Sequence, residues 1–254
     1  MNSPDRPASR APVPAAASPS LSAAARAFEL KFLVGDGTAR AIESWADRAM
    51  IPDPHGEPAR GGAYEVTTVY LDTPALDVFH RAPETGGDKH RLRRYGGSGD
   101  LWLERKTRAG ERVSKRRDRI PDVEVGWLAG AGAPAGWGPA WFLDEVEGRL
   151  LRPVAAVAYL RRAYFGASGP GRFRLTLDRE IQGARASGWS VPVAGGRGCR
   201  LLAEGAVCEL KFTDSLPAQF RALVSDLGLS SSGFSKYRRA CVELGLAEGG
   251  TRGG

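Results

Sequence analysis

Three short segments set an acid and a base two residues apart: Glu29-Leu30-Lys31, Glu104-Arg105-Lys106 and Glu209-Leu210-Lys211. The string Glu-Leu-Lys-Phe occurs twice, at 29–32 and 209–212. Arg91, Arg93 and Tyr95 keep the same spacing, as do Arg172, Arg174, Thr176 and Asp178. In an extended chain residues i and i+2 share a face, so each segment presents charge on one face and apolar side chains on the other. Cations set among carboxylates suit a multiply charged anion, and the carboxylates could hold a divalent metal that bridges phosphate oxygens. Any half-solvated antiparallel sheet also shows a polar outer face. Repetition of Glu-x-Lys and Arg-x-Arg, in place of Ser, Thr, Gln or Asn, favours a barrel with a charged interior and an apolar exterior covered by helices. Such an interior demands an anion, because unpaired buried charge is very costly.

The charge is concentrated. The 254 residues carry a formal +7, yet Lys89–Arg119 alone holds twelve basic residues against Asp100, Glu104, Glu111 and Asp118, a local charge of +8. The rest of the chain is close to neutral, so general basicity is not the explanation. Arg is the default cation, and Lys31, Lys89, Lys106, Lys115, Lys211 and Lys236 are the only lysines. A lysine kept in such a sequence points to a need for a compact ammonium in place of a planar fork.

Several function classes fall away. No G-x-x-x-x-G-K-[ST] and no G-x-G-x-x-G between strand and helix is present, so the common nucleotide cradles are absent. His55, His80 and His90 show no triad or metal spacing, and Cys199, Cys208 and Cys241 suggest neither a disulfide framework nor a zinc site. No apolar run approaches the length of a membrane span. With no signal-peptide pattern at the N-terminus, a cytoplasmic location is expected. The Lys89–Arg119 run could serve a nucleic acid, but its interleaving with acids at period two argues against an RNA platform, which wants exposed aromatics.

The elements that must position these side chains follow from periodicity. Strands are expected at Phe28–Leu33, Tyr64–Asp72, Arg91–Tyr95, Leu101–Lys106, part of Val154–Phe165, Arg172–Asp178 and Val207–Phe212. Helices are expected from Thr38 to Met50 with Asp36 as cap, from the Asp72-Thr73-Pro74 cap through Phe79, and from Ser215 to Leu227 with Gly228 as stop. Gly130–Pro139 reads as a loop. Trp102 falls on the charged face, whereas Arg94 and Arg105 fall on the opposite one and are expected to be structural; Asp178 could simply end a strand. Residues 1–25, rich in Pro, Ala and Ser, read as a disordered tail, and 247–254 as a flexible one. The fold class is α+β: an antiparallel β-barrel tunnel with a charged lumen and flanking helices, occupying residues 26–246.

These segments resemble the VTC domain, the polyphosphate polymerase module of vacuolar transporter chaperones, within the triphosphate-tunnel (CYTH-like) superfamily. The resemblance runs over most of residues 27 to 243 and rests on Phe28-Glu29-Leu30-Lys31, Val69-Tyr70-Leu71-Asp72-Thr73, Arg91-Leu92-Arg93-Arg94-Tyr95, Leu103-Glu104-Arg105-Lys106-Thr107, Tyr159-Leu160-Arg161-Arg162-Ala163-Tyr164, Arg174-Leu175-Thr176-Leu177-Asp178, Glu209-Leu210-Lys211-Phe212 and Phe234-Ser235-Lys236-Tyr237. It implies transfer of the ATP terminal phosphate to a growing polyphosphate chain, with ATP and polyphosphate as partners and no nucleic acid. Arg91, Arg93, Lys106 and Arg161 would be catalytic; Lys31, Lys115, Arg174, Lys211 and Lys236 would bind phosphate. Glu209 matches a metal-binding glutamate for Mn or Mg, and Glu29 either joins it or pairs with lumen lysines. Lys236 matches a lysine near one tunnel mouth.

Two positions depart from the pattern. Gly233 stands where a further lysine is expected, and Ala27 replaces the first acid of the E-x-E-x-K pattern of related triphosphatases. The second departure favours polymerase over metal-dependent triphosphatase. Neither an inositol-phosphate-sensing domain nor membrane helices accompany the segments, so a free-standing domain is expected, and any membrane-protein partner would be a different chain.

Overall fold

Among the described residues the chain forms ten strands and five helices, three strands and two helices more than the period-two and amphipathic segments predict. The computed structural model describes residues 27–85, 87–109, 112–130, 132–166, 173–193 and 198–247. Residues 1–25 and 248–254, expected as tails, and Arg172 lie outside them. In chain order the elements are β1 (Ala27–Val34), α1 (Asp36–Ala49), β2 (Ile51–Pro52), β3 (Ala63–Asp72), α2 (Asp77–His80), β4 (Lys89–Tyr95), β5 (Asp100–Ala109), β6 (Arg112–Pro121), α3 (Ala140–Gly148), β7 (Arg152–Phe165), β8 (Phe173–Arg185), β9 (Cys199–Arg200), β10 (Ala206–Thr213), α4 (Ala218–Asp226) and α5 (Lys236–Glu243). A 3-10 segment, Asp122–Ala129, follows β6.

One antiparallel sheet holds them, in the order β1-β10-β8-β7-β3-β4-β5-β6, with β2 added to β7 and β9 to β8. The register sets the chemistry. Glu29 faces Lys211 and Lys31 faces Glu209 across β1 and β10, so the two copies of Glu-Leu-Lys-Phe pair acid to base. Arg91 faces Glu104 across β4 and β5, and Arg161 faces Asp178 across β7 and β8. The sheet curls until its edge strands β1 and β6 approach each other, although no ladder joins them among the described residues. Lys106 on β5 donates to Glu29 on β1 at 2.9 Å and so spans the gap.

The convex face is apolar, and helices cover it in two patches. α1 and α4 bring Ala39, Ile42, Phe220 and Leu223 against Phe32, Leu175, Leu177 and Leu210. α3 and the 3-10 segment bring Phe142, Val146 and Leu128 against Val69, Leu92, Leu101, Leu103 and Ile120. Each fully buried side chain of this size stabilises by about 1.5–3 kcal/mol. α5 differs in place: Tyr237, Ala240 and Cys241 bury against Tyr70, Val157, Ile181 and Val207, residues of the concave face.

Helix boundaries depart from expectation in instructive ways. α1 begins at Asp36 with Gly35 as its N-cap and no side-chain cap; Asp36 sits in the first turn, where its charge suits the helix dipole. α2 begins only at Asp77. Asp72 still serves it from a distance, accepting from the backbone N–H of Val78 at 2.9 Å and of Phe79 at 3.0 Å, while Thr73 Oγ1 accepts from Asp77 N–H at 3.2 Å. α4 starts at Ala218, after Pro217. Strand β8 runs on to Arg185, so Asp178 lies inside it and does not end it.

Candidate functional site

All six lysines of the chain gather on the concave side, five from strands β1, β4, β5, β6 and β10 and Lys236 from the start of α5. With Arg91, Arg93, Arg161 and Arg174 they make ten cations around Glu29, Asp53, Glu104, Asp178 and Glu209.

The carboxylates divide the cations into groups. Glu104, fully buried, takes Arg91 Nε at 2.6 Å and Arg93 at 3.6 Å, and Lys115 reaches its other oxygen. Asp178, also fully buried, takes Arg161 through two hydrogen bonds of 2.7 and 2.8 Å and Lys236 at 2.6 Å. Glu29 and Glu209 form a lattice with lysines: Lys31 lies 3.0 Å from Glu29 and 3.7 Å from Glu209, and Lys211 lies 3.7 and 3.5 Å from the same pair. Arg174 is drawn aside, donating to Asp53 at 2.8 Å and to the Tyr64 hydroxyl at 3.0 Å.

Burial and charge oppose each other at these groups. Burial would raise the carboxyl of Glu104, yet Arg91, Arg93 and Lys115 together hold it well below the usual carboxylate range. The same contest lowers Glu209 through Lys31, Lys211, Lys236 and Arg161. Some of the lysines lose. Burial pushes Lys106 down to about 8, with Lys211 and Lys31 adding to the effect and Glu29 only partly offsetting it. Lys89 also falls to about 8, from burial and then from Lys31, Lys106, Arg81 and Arg91. The concave face therefore carries more positive charge than its own acids neutralise, the condition of a site shaped for a polyanion.

The VTC domain family matches residues 26–244. The chain belongs to this family. Solved structures share its fold. HpAC1 from Hippeastrum, named as an adenylyl cyclase and described as having a dominant triphosphatase activity, superposes with a TM-score of 0.50 at 14% identity, over 86% of this chain and 96% of that one. A protein from Bacillus halodurans named as an adenylate cyclase gives a TM-score of 0.51 at 12% identity, over 83% and 94%. No curated protein matches the chain. The VTC assignment and the shared fold agree with the curled antiparallel sheet and flanking helices that the alternation predicts.

In this VTC domain every residue expected to be catalytic, to bind phosphate or to hold metal reaches the concave side, though not as one cluster. Arg91, Arg93 and Lys115 centre on Glu104, Arg161 and Lys236 on Asp178, and Lys31, Lys106 and Lys211 on Glu29 and Glu209. Lys236 is almost wholly buried, deeper than a position at a mouth implies. Sequence reading missed Glu104, Asp178 and Lys89 as site residues. The signal was present for all three: Glu104 and Lys89 lie two residues from Lys106 and Arg91, and Asp178 lies four from Arg174, each on the face of its chosen cation. Arg94 and Arg105 are on the convex face as expected, Arg94 bound to the Val191 carbonyl at 3.1 and 2.8 Å and Arg105 paired with Glu145.

Glu29 and Glu209 sit diagonally across β1 and β10, and among the described residues no group of three or more His, Cys, Asp or Glu could hold a metal. A cage made by protein alone does not fit. Two carboxylates fit Mg²⁺ or Mn²⁺, ions that keep water and take substrate phosphates as their remaining ligands. No helix among the described residues is long and apolar enough to cross a membrane.

Proposed function

We propose that this VTC domain transfers the terminal phosphoryl group of ATP to the end of a polyphosphate chain lying on the concave face. The observation that carries the reading is the gathering of ten cations around Glu29, Asp53, Glu104, Asp178 and Glu209 on that face, with every lysine of the chain among them. The accepting group is a terminal phosphate oxyanion, already ionised, so no protein nucleophile or base is needed. Its oxygen forms a new bond to the γ-phosphorus as the β–γ bridging bond breaks, and ADP leaves with that bridging oxygen. Arg91, Arg93, Lys106 and Arg161 would line the donor and acceptor phosphates and neutralise charge that spreads over the transferring group. Lys31, Lys115, Arg174, Lys211 and Lys236 would hold the flanking phosphates. Glu209, with Glu29, would hold a divalent cation, which when bound supplies further charge neutralisation on phosphate oxygens.

A second reading is hydrolysis of a triphosphate on the same face, with water as acceptor. The described activity of the Hippeastrum neighbour supports it, and Ala27, in place of an acid, weighs against it. Incubation of the pure protein with ATP and Mn²⁺, followed by a polyphosphate gel, separates the two. A ladder of long polymer, lost in Glu209→Ala, is expected. Release of free phosphate from tripolyphosphate without chain growth would establish the triphosphatase instead.

A further inference from the structure

One tryptophan has no place in the apolar packing. Trp45 packs against the cluster beneath α1 and α4, Trp137, Trp141 and Trp189 pack against the one beneath α3, and Trp127 meets Trp137 edge to face at 5.5 Å. Among the described residues, Trp102 belongs to none of the three apolar clusters. It stands on β5 opposite Arg93 of β4 and Arg119 of β6, so its indole shares the concave face with Glu104 and Lys106. The ring is half-buried, and the Arg117 guanidinium lies 4.5 Å from its centre. Arg117 is itself opposite Glu104, so the ring meets this cation within the lumen, as the negative face of an indole allows.

The place of Trp102 along its strand fits a nucleotide. The concave residues of β5 run Trp102, Glu104, Lys106, roughly 7 Å apart at each step. Glu104 gathers Arg91, Arg93 and Lys115, and Lys106 reaches Glu29. The charged row of β5 is thus bounded by an aromatic ring toward one end and by the Glu29 and Glu209 carboxylates toward the other. Beyond the ring, Asp100 and Arg119, both open to solvent, pair at 3.5 Å, which puts Trp102 just inside a mouth. ATP has the same polarity: a flat base, a ribose, then phosphates. An aromatic side chain beside a basic groove is the usual platform for a base, because every base has a π-face.

We infer that Trp102 is the base platform of the donor site: the adenine of ATP stacks on its indole, the ribose spans the step to Glu104, and the triphosphate runs along β5 toward Lys106. The platform rests on the reading that ATP is the phosphoryl donor. It adds the direction in which the nucleotide lies, with the terminal phosphate toward Glu29 and Glu209 and the base at the mouth marked by Asp100 and Arg119. It also makes the choice between a nucleotide and an inorganic polyphosphate a property of one side chain.

Calorimetric titration of wild type, Trp102→Leu and Trp102→Phe with ATP and with tripolyphosphate tests the platform. Leucine keeps apolar bulk and removes the π-face, so Trp102→Leu should weaken ATP binding about tenfold and tripolyphosphate binding less than about twofold. Phenylalanine restores a π-face, and Trp102→Phe should bind ATP within about threefold of wild type. Unchanged ATP affinity in Trp102→Leu, or equal losses for the two ligands, would overturn the platform. So would a Trp102→Phe variant that loses ATP as fully as Trp102→Leu does. Single-stranded RNA bound more tightly than ATP by the wild type, and lost in Trp102→Leu, would assign the ring to a nucleic acid instead. Failure of the wild type to bind ATP would overturn the underlying reading of the donor, and that result looks different from all of these.

Discussion

Arg93 and Arg94 are neighbours in β4, both almost fully buried, and the sheet sends them to opposite faces. Arg94, on the convex side, donates twice to the Val191 carbonyl and once to the Ser98 carbonyl, and pairs with Asp122 at 2.7 Å. Its fork is saturated by fixed acceptors. Arg93, on the concave side, has Thr68 Oγ1 at 3.1 Å, the Tyr95 hydroxyl at 3.5 Å and a share in Glu104 at 3.6 Å, a carboxylate also claimed by Arg91 and Lys115. Burial alone does not separate a structural arginine from a functional one. What separates them is what holds them: backbone carbonyls and one carboxylate for Arg94, and for Arg93 a carboxylate that Arg91 and Lys115 also claim.

The strongest way to break this contrast is to remove a concave cation that its neighbours can spare. Arg91→Ala leaves Glu104 with Arg93 and Lys115, so the fold should survive. Phosphoryl transfer should fall about 100-fold, the usual cost of deleting one charge-stabilising donor. Steady-state assay with ATP checks this, with thermal melting as the control for folding. A variant of near wild-type activity would remove Arg91 from the site. On the convex face the effect should invert: Arg94→Ala leaves the Val191 carbonyl without its donors and should lower stability by about 2 kcal/mol in urea unfolding. The shift in melting temperature caused by added tripolyphosphate should persist in Arg94→Ala and shrink in Arg91→Ala.

How much of this was legible in the sequence depended on range. Strand faces are a local property with period two, so the alternation by itself places Glu29, Lys31, Arg91, Arg93, Lys106, Glu209 and Lys211 on one side. Partnership is not local. Nothing near residue 104 says that its carboxylate will be wholly buried under cations from β4 and β6, and nothing near residue 178 announces Lys236, which arrives from a helix 58 positions later. Asp72 shows the same limit: its cap is real, but the chain loops for four residues before the helix that uses it begins. Lys89 is the instructive miss. Its spacing to Arg91 and the scarcity of lysine both marked it, but its place opposite Lys106, in one row with Lys115, depends on a register that no single segment reveals.

A smaller effect should appear in the pH dependence, again on the concave side. Lys89 and Lys106, held at about 8 in the ligand-free fold, are disfavoured there as cations. A bound polyanion favours the charged form and raises both values, so binding takes up protons near pH 8 and none near pH 6, where both are already charged. Affinity for tripolyphosphate should fall about tenfold between pH 7 and 9 as Lys106 loses its proton before binding. Without ligand the sign reverses: between about pH 8 and 10 the unfolded chain binds protons that these folded lysines have shed, so stability from this source rises with pH. Calorimetry in two buffers of different ionisation enthalpy measures the uptake, and uptake that is equal at pH 6 and 8 would show that these lysines are not the ones meeting the phosphates.

The smallest effect belongs to an exposed convex cation. The register places Arg116 opposite Arg105, on the face away from the lumen, and its guanidinium lies 4.1 Å from the centre of the Trp141 ring. The side chain is exposed, so losing that contact in Arg116→Ala should cost about 0.5–1 kcal/mol. Phosphate affinity should not change, even though Arg116 belongs to the same dense basic run as Lys106 and Lys115. That run is one stretch of chain but two faces of a sheet. A variant that keeps its stability and loses phosphate binding would mean that charge density along the chain, and not the face on which each charge stands, decides what this protein binds.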